Sequence, residues 1–291
     1  MTAIKSSNNA LYKKTLKYLV VTLFFSTIIT SLIVILANEH DRHSIIVIIL
    51  NIAAAFATSL GMIAIFRYRL NENHGKSYLF LTLGIALWFF ADLNLLYLYF
   101  VKGIAEQKQI SMSDVFWFSG YVFLSLHLVS VMRTIHIKKI SKTLAILLVI
   151  VIIFVIVNLI NSSTHSLFIN DVDQDWIQNE FGVTNLIITI LYPILDLSLI
   201  IPSVIILVNI YHEYQHSIPW ILSSVSLLAN AIADNGYVDD FIRGSSTIWI
   251  WDLFYINDFI IMAAALYWIN KFHITESLKE KKNTKTNNNE F

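Results

Sequence analysis

Long apolar runs alternate with short polar stretches along the whole chain, and the runs exceed the alternating ten-residue strands of a membrane barrel. A helix needs about 20 apolar residues to cross a hydrocarbon core roughly 30 Å thick. Runs of that order recur at about 16–37, 44–66, 78–101, 113–133, 144–160, 184–209, 219–242 and 248–270. A bilayer holds no water to satisfy backbone amides, so unbroken stretches such as Leu144 to Ile160 fit helices. The pattern predicts an all-α fold, a polytopic membrane bundle of about eight transmembrane helices.

Composition strengthens that reading, because 56% of the 291 residues are apolar and 14% are charged, more hydrocarbon than a soluble domain of this size hides. The basic residues set the orientation. With the N-terminus inside, the cytoplasmic segments hold sixteen of the twenty Lys and Arg, including Lys13, Lys14, Lys17, Arg67, Lys138, Lys139 and Lys271. The outer side keeps Arg42, Lys102, Lys108 and Arg243, and its longest loop, around 161–183, carries Asp171, Asp173, Asp175 and Glu180. The expected place is therefore the cell membrane with both termini cytoplasmic. The chain divides into a cytoplasmic polar tail (1–15), a first membrane half (16–143), a second membrane half (144–274) and a cytoplasmic disordered tail (275–291). The first apolar segment has no small-residue cleavage site after it and reads as a retained helix.

A formal net charge of zero, with basic residues spread along one membrane face, argues against nucleic acid as a partner. The absence of Cys excludes disulfides and thiolate chemistry. No cofactor motif is present. The lipid bilayer is the implied partner, and any output has to come from the membrane core or from a separate signalling chain.

A weak internal repeat appears when the third and fourth helices are laid on the seventh and eighth. Ala91-Asp92, Phe100-Val101-Lys102-Gly103 and Asp114-Val115-Phe116-Trp117 match Ala233-Asp234, Phe241-Ile242-Arg243-Gly244 and Asp252-Leu253-Phe254-Tyr255. The unit is four helices, so the halves are expected to run parallel. Helical spacing puts Trp88, Asp92 and Tyr99 on one face, and Asn230, Asp234, Tyr237 and Phe241 on another. Asp114, Trp117, Tyr121 and Ser125 form a third stripe, and Asp252, Tyr255 and Phe259 a fourth.

Asp at membrane depth costs a few kcal/mol on insertion scales and usually faces a protein interior or a wet cavity. Asp92 and Asp234 are far from any helix N-terminus, so a binding or proton-linked role competes with a structural hydrogen bond. Asp114 and Asp252 follow short loops, where capping of the helix N-terminus is the plain alternative. Tyr192, Pro193 and Asp196 lie near the middle of the sixth helix, with Pro202 beyond, predicting a kinked helix beside a buried carboxylate. Tyr192 and Asp196 are four apart and either hydrogen-bond to each other or face one pocket. The expectation is a single pocket opening outward, lined by Asp92 and Asp234 with Asp196 below them. Its aromatic neighbours Trp88, Tyr99 and Tyr237 suit a small or organic cation, and a proton is the other occupant.

Tyr192-Pro193-Ile194-Leu195-Asp196, the two Ala-Asp pairs and the run Ser111-Met112-Ser113-Asp114-Val115-Phe116-Trp117-Phe118-Ser119-Gly120-Tyr121 resemble the multi-helix membrane sensor region that precedes cytoplasmic signalling domains, such as diguanylate cyclases and histidine kinases, in many prokaryotic proteins. The resemblance covers about 78–270 and implies a sensor or receptor-like role. Ile110 stands where that family has Pro, Trp117 where Tyr is frequent, and no output domain follows.

His212-Glu213-Tyr214-Gln215-His216 is an H-E-x-x-H sequence, the pattern in which two His hold zinc while Glu213 acts as base, so membrane proteolysis is an alternative. Pro219 is expected to end the local helix and leave His216 at its margin. His127 reads as a single hydrogen-bonding residue. Ion or small-solute transport is the other alternative, suggested by parallel repeats with matching carboxylates; Asp196 is there the one acidic residue expected near mid-depth.

Overall fold

The computed structural model describes residues 2–67, 73–103, 111–134, a few positions between 146 and 157, and residues 180–210, 214–243 and 247–287. The principal helices are α1 (Thr2–Leu36), α2 (Glu39–Arg67), α3 (Asn73–Lys102), α4 (Met112–Thr134), α5 (Glu180–Ile210), α6 (Tyr214–Arg243) and α7 (Trp249–Asn287). Among the described residues, each of these seven is long and apolar enough to cross a membrane. The expected span at 144–160 falls mostly outside the described residues, and those of its positions that are described are helical.

Helices α2 to α7 form a closed ring. α2 packs on α3, α3 on α4, α4 on α5, α5 on α6, α6 on α7, and α7 returns to α2, while α1 stands outside against α2 and α7. One apolar core runs through the ring and draws a side chain from every member, among them Ala57, Leu81, Leu124, Ile206, Leu227 and Leu266. The outward faces carry exposed Phe, Ile, Leu and Val, as expected where the surrounding solvent is hydrocarbon. That polarity explains why none of these helices needs a polar outer face.

Small residues let the backbones approach. A Cβ on Gly84 would meet Leu124 at 2.6 Å and the Gly120 carbonyl at 3.1 Å, and one on Gly120 would meet the Trp88 ring at 2.3 Å. The α3–α4 pair is therefore pinned by Gly84, Gly120 and an indole laid across Gly120. Gly236 does the same for α6 and α7, with Trp251 lying on it.

Direction follows from the order of contacts. Along α4, Asp114, Tyr121 and Ser125 meet Tyr192, Asp196 and Ser198 of α5 in the same sequence order, so the two helices run parallel. Parallel neighbours require the chain to return between Thr134 and Glu180, the interval in which the span at 144–160 is expected. The N-terminal half of α1 meets the C-terminal part of α7 through Tyr12, Leu16, Trp268 and Phe272. Both termini therefore lie at one end of the bundle, and the opposite end is called distal below. α1 begins at Thr2, within the stretch read as a polar tail, and α7 continues to Asn287, within the stretch read as disordered. Lys and Glu in the α7 extension are good helix formers, so an anchored helix propagates into it.

Candidate functional site

The distal half of the ring holds six buried or half-buried carboxyls, on Asp92, Asp114, Asp196, Asp234, Asp252 and Asp258, and the apolar spans that carry them hold Lys and Arg only close to their ends, at Lys76, Lys102, Arg133 and Lys271. Asp92, Asp196 and Asp258 are 5%, 0% and 1% exposed, whereas Asp234 and Asp252 are half-buried. Access thus comes from the distal side, and the deeper carboxyls are closed off.

Tyr121 of α4 is the centre. Its hydroxyl lies 2.7 Å from Oδ1 of Asp196 on α5 and also contacts Oδ2 of Asp234 on α6. Asp196 and Asp234 thus share one hydroxyl and are close enough to interact electrostatically. The other oxygen of Asp234 accepts from the Tyr255 hydroxyl of α7, and the other oxygen of Asp196 accepts from Nδ2 of Asn235 at 2.8 Å. Four helices are joined through one pair of carboxyls. Trp88 fixes the Tyr121 ring from behind: its indole N–H donates to the Trp117 carbonyl at 3.1 Å and its ring meets Tyr121 edge-on at 5.3 Å.

The hydrogens on this pair can be counted. A phenol has one hydrogen to donate, and ionised carboxylates are acceptors only. Tyr121 touches two carboxyls with one hydroxyl and can donate its hydrogen to only one of them, so one further hydrogen on the Asp196 and Asp234 pair makes both contacts full hydrogen bonds.

Two flanking groups complete the cluster. Asp114 accepts from the Ser111 amide at 2.8 Å and from the Tyr192 hydroxyl at 3.0 Å, while Ser111 Oγ accepts from the Ser113 amide at 3.1 Å. This is a capping box with Ser111 as cap, and it simultaneously ties α4 to α5. Asp114 thus makes the capping contact expected of it and also holds Tyr192 of the neighbouring helix. On the other flank Asp258 accepts from Ser226 Oγ and from the Asn230 side chain, and it lies close enough to Asp92 and Asp234 to interact electrostatically with both. Asp92 has the Trp117 indole as its side-chain donor, and Asp252 is nearby.

Several expectations need correction. Asp92 and Asp234 do not form the central pair; Asp234 joins Asp196, and Asp258 stands between it and Asp92. Tyr192 does not bond Asp196, because it reaches across to Asp114 on the next helix. Tyr99 faces away: it bonds Ser44 of α2 at 2.7 Å and meets His43 edge-on, since toward the distal end that side of α3 is covered by α2. Asp252 makes no capping bond among the described contacts; the Thr247 and Ile248 carbonyls take the Ile250 and Trp251 amides instead. Tyr237 keeps its expected place beside the cluster, with its ring 6.5 Å from Tyr255. Asp196 is not alone at depth, because Asp258 lies deeper along α7. Asp258 lies one turn beyond Tyr255 in the same apolar span and was not singled out on sequence.

His212 and Glu213 lie outside the described residues, and α6 begins at Tyr214, so the zinc reading finds no described site. Among the described residues no group of three or more His, Asp or Glu is placed to hold a metal ion. Pro219 stands inside α6 and does not end it, which is tolerable so near a helix start, where few amide bonds are forfeited. His127 behaves as expected, with Nδ1 within 2.9 Å of Ser77 Oγ.

No family model, no curated protein and no solved structure matches this chain.

Proposed function

We propose that the protein is a membrane sensor in which the Asp196 and Asp234 pair holds a proton that a small cation entering from the distal side displaces. The observation that carries this reading is the hydrogen count at Tyr121: the pair makes all its contacts only with one extra hydrogen or an equivalent positive charge. The half-buried Asp234, Asp252 and Tyr255 form the approach, and the buried Asp258 and Asp92 extend the negative charge inward. The bias of basic residues toward the end that holds the termini supports a distal end facing outward and termini in the cytoplasm.

Output would travel along α7. This helix supplies Asp252, Tyr255 and Asp258 to the cluster and continues without interruption past Phe272, the end of its span, to Asn287. Exchanging a proton for a larger cation changes how Tyr255 and Asp258 are held and so biases the position of α7, which a separate signalling chain then reads. The likeness of the Tyr192 to Asp196 and Ser111 to Tyr121 segments to membrane sensor regions supports the same role. The internal repeat belongs with this proposal: in each half an aromatic three residues after the second Asp donates to the first, Trp117 to Asp92 and Tyr255 to Asp234.

Transport has one observation in its favour. Polar contacts continue from the cluster toward the termini, through Ser125 and Ser198 at 2.8 Å and then His127 and Ser77. The two readings separate in sealed vesicles. With protein in the bilayer, a sensor shows cation-dependent thermal stabilisation that Asp234→Asn removes, and no flux of that cation. Cation or proton flux that is lost in Asp234→Asn would replace the sensor reading with transport, and stability indifferent to every cation and to pH would remove both.

A further inference from the structure

A second site lies away from the carboxyls, on the lipid-facing side between α1, α2 and α7. α1 packs mainly on α7 and α2, with Ile218 and Leu222 of α6 joining the cluster around Leu19, and most of its span is uncovered by protein. Where it leaves them, a cavity of about 360 Å³ opens sideways toward the bilayer, within the roughly 300–1,000 Å³ of sites that bury small molecules. Its walls are Leu19 and Leu23 of α1, Phe56 of α2, and Ile260, Ala263 and Ala264 of α7. The paired alanines make the hollow, because neighbouring core positions on α7 carry Met262, Leu266 and Ile269.

The end of this groove nearer the termini is basic. Lys271 lines the mouth, its ammonium donating to the Tyr267 hydroxyl at 3.3 Å and lying 5.5 Å from that ring. Lys14 stands 6.0 Å over Tyr18, which lines the groove from α1, and Lys13 and Lys17 are exposed on the same turns. None of the described Asp and Glu side chains lies at this end. Lysines at the bilayer surface with tyrosines beneath them are the arrangement that attracts anionic headgroups, and an apolar groove below leaves room for one acyl chain.

We infer that this groove binds an anionic phospholipid, with one acyl chain between α1 and α7 and the phosphate against Lys271 and Lys14. The occupant is a membrane lipid rather than a free phosphate because the cavity wall is mostly apolar, with Thr15, Thr22 and Ser26 as scattered hydroxyls, and it opens on the lipid-facing side. The bound lipid would join α1, otherwise lightly held, to the helix that carries Tyr255 and Asp258.

The full-length protein, reconstituted in vesicles of equal phosphatidylglycerol and phosphatidylcholine and then released into mild detergent, is weighed intact by mass spectrometry. The expected result is several-fold enrichment of retained phosphatidylglycerol, unchanged by millimolar inorganic phosphate. Lys14→Gln with Lys271→Gln should bring the two lipids to parity. Thr22→Trp, which fills the groove from an exposed position on α1, should lower retention of both. Equal retention by the unsubstituted protein, or displacement by phosphate alone, overturns the site, and both are read without relying on any variant to fold.

Discussion

Tyr121 concentrates the physical demands of the site in one hydroxyl. Tyr121→Phe keeps the ring against Trp88 and Tyr192 but leaves Asp196 and Asp234 without their common donor. Loss of a buried hydrogen bond to a charged or polar partner costs about 1–3 kcal/mol, so the variant should unfold at correspondingly lower denaturant in detergent. A Phe variant as stable as the parent would mean that the hydroxyl contacts are incidental. Asp258→Asn keeps the size and the Ser226 contact while removing one carboxyl, and should shift the cation or pH response with little change in insertion. No shift there would confine the working site to Asp196 and Asp234. The sequence made Asp92, Asp114, Asp196, Asp234 and Asp252 legible because carboxyls inside apolar runs are conspicuous. It did not reveal the pairing, since Tyr192 to Asp114 and Tyr121 to Asp196 join residues 78 and 75 positions apart and depend on which helices become neighbours.

Helix identity was readable from hydropathy alone: the expected spans at 78–101 and 113–133 fall within the described spans Gly75–Lys102 and Met112–Thr134, and the one at 248–270 overlaps Trp249–Phe272 in all but its first residue. Length against bilayer thickness is a local property, and so is the capping sequence Ser111 to Asp114. What one helix covers on its neighbour is not local, which is why Tyr99 was placed with Trp88 and Asp92 and found against α2 instead. The α3–α4 contact supplies an element-level test. Gly120→Leu forces a side chain into the Trp88 ring and the Gly84 backbone, and overpacking of this kind costs about 1–3 kcal/mol. Because Trp88 holds Tyr121, the same change should also blunt the cation response, whereas Gly103, with open space around it, should accept Asn with little effect on either. A fully responsive Gly120→Leu protein would show that the packing of α3 on α4 does not position the site.

For the whole molecule, the ring of α2 to α7 brings carboxyls from α3, α4, α5, α6 and α7 to one end, the end that the proposed orientation turns outward. The native chain has no Cys, so single Cys substitutions report topology without interference. A Cys at Lys138 or Lys139 should resist an impermeant thiol reagent in intact cells, and one at Asp173 should react. Labelling at 138 from outside would invert the assignment and turn the carboxyls toward the cytoplasm. The composition and the basic-residue count pointed to this arrangement, while closure of α7 onto α2 has no sequence signature because it is a property of the finished ring. The most direct test of the proton-holding pair is infrared difference spectroscopy of the protein in lipid, following the carboxylic acid C=O band as pH or cation concentration changes. The expected result is a protonated carboxyl band that diminishes when cation is added and that is missing or displaced in Asp196→Asn and Asp234→Asn. A band that no cation or pH change alters, or a difference signal identical in both variants and the parent, would contradict a shared proton at Tyr121.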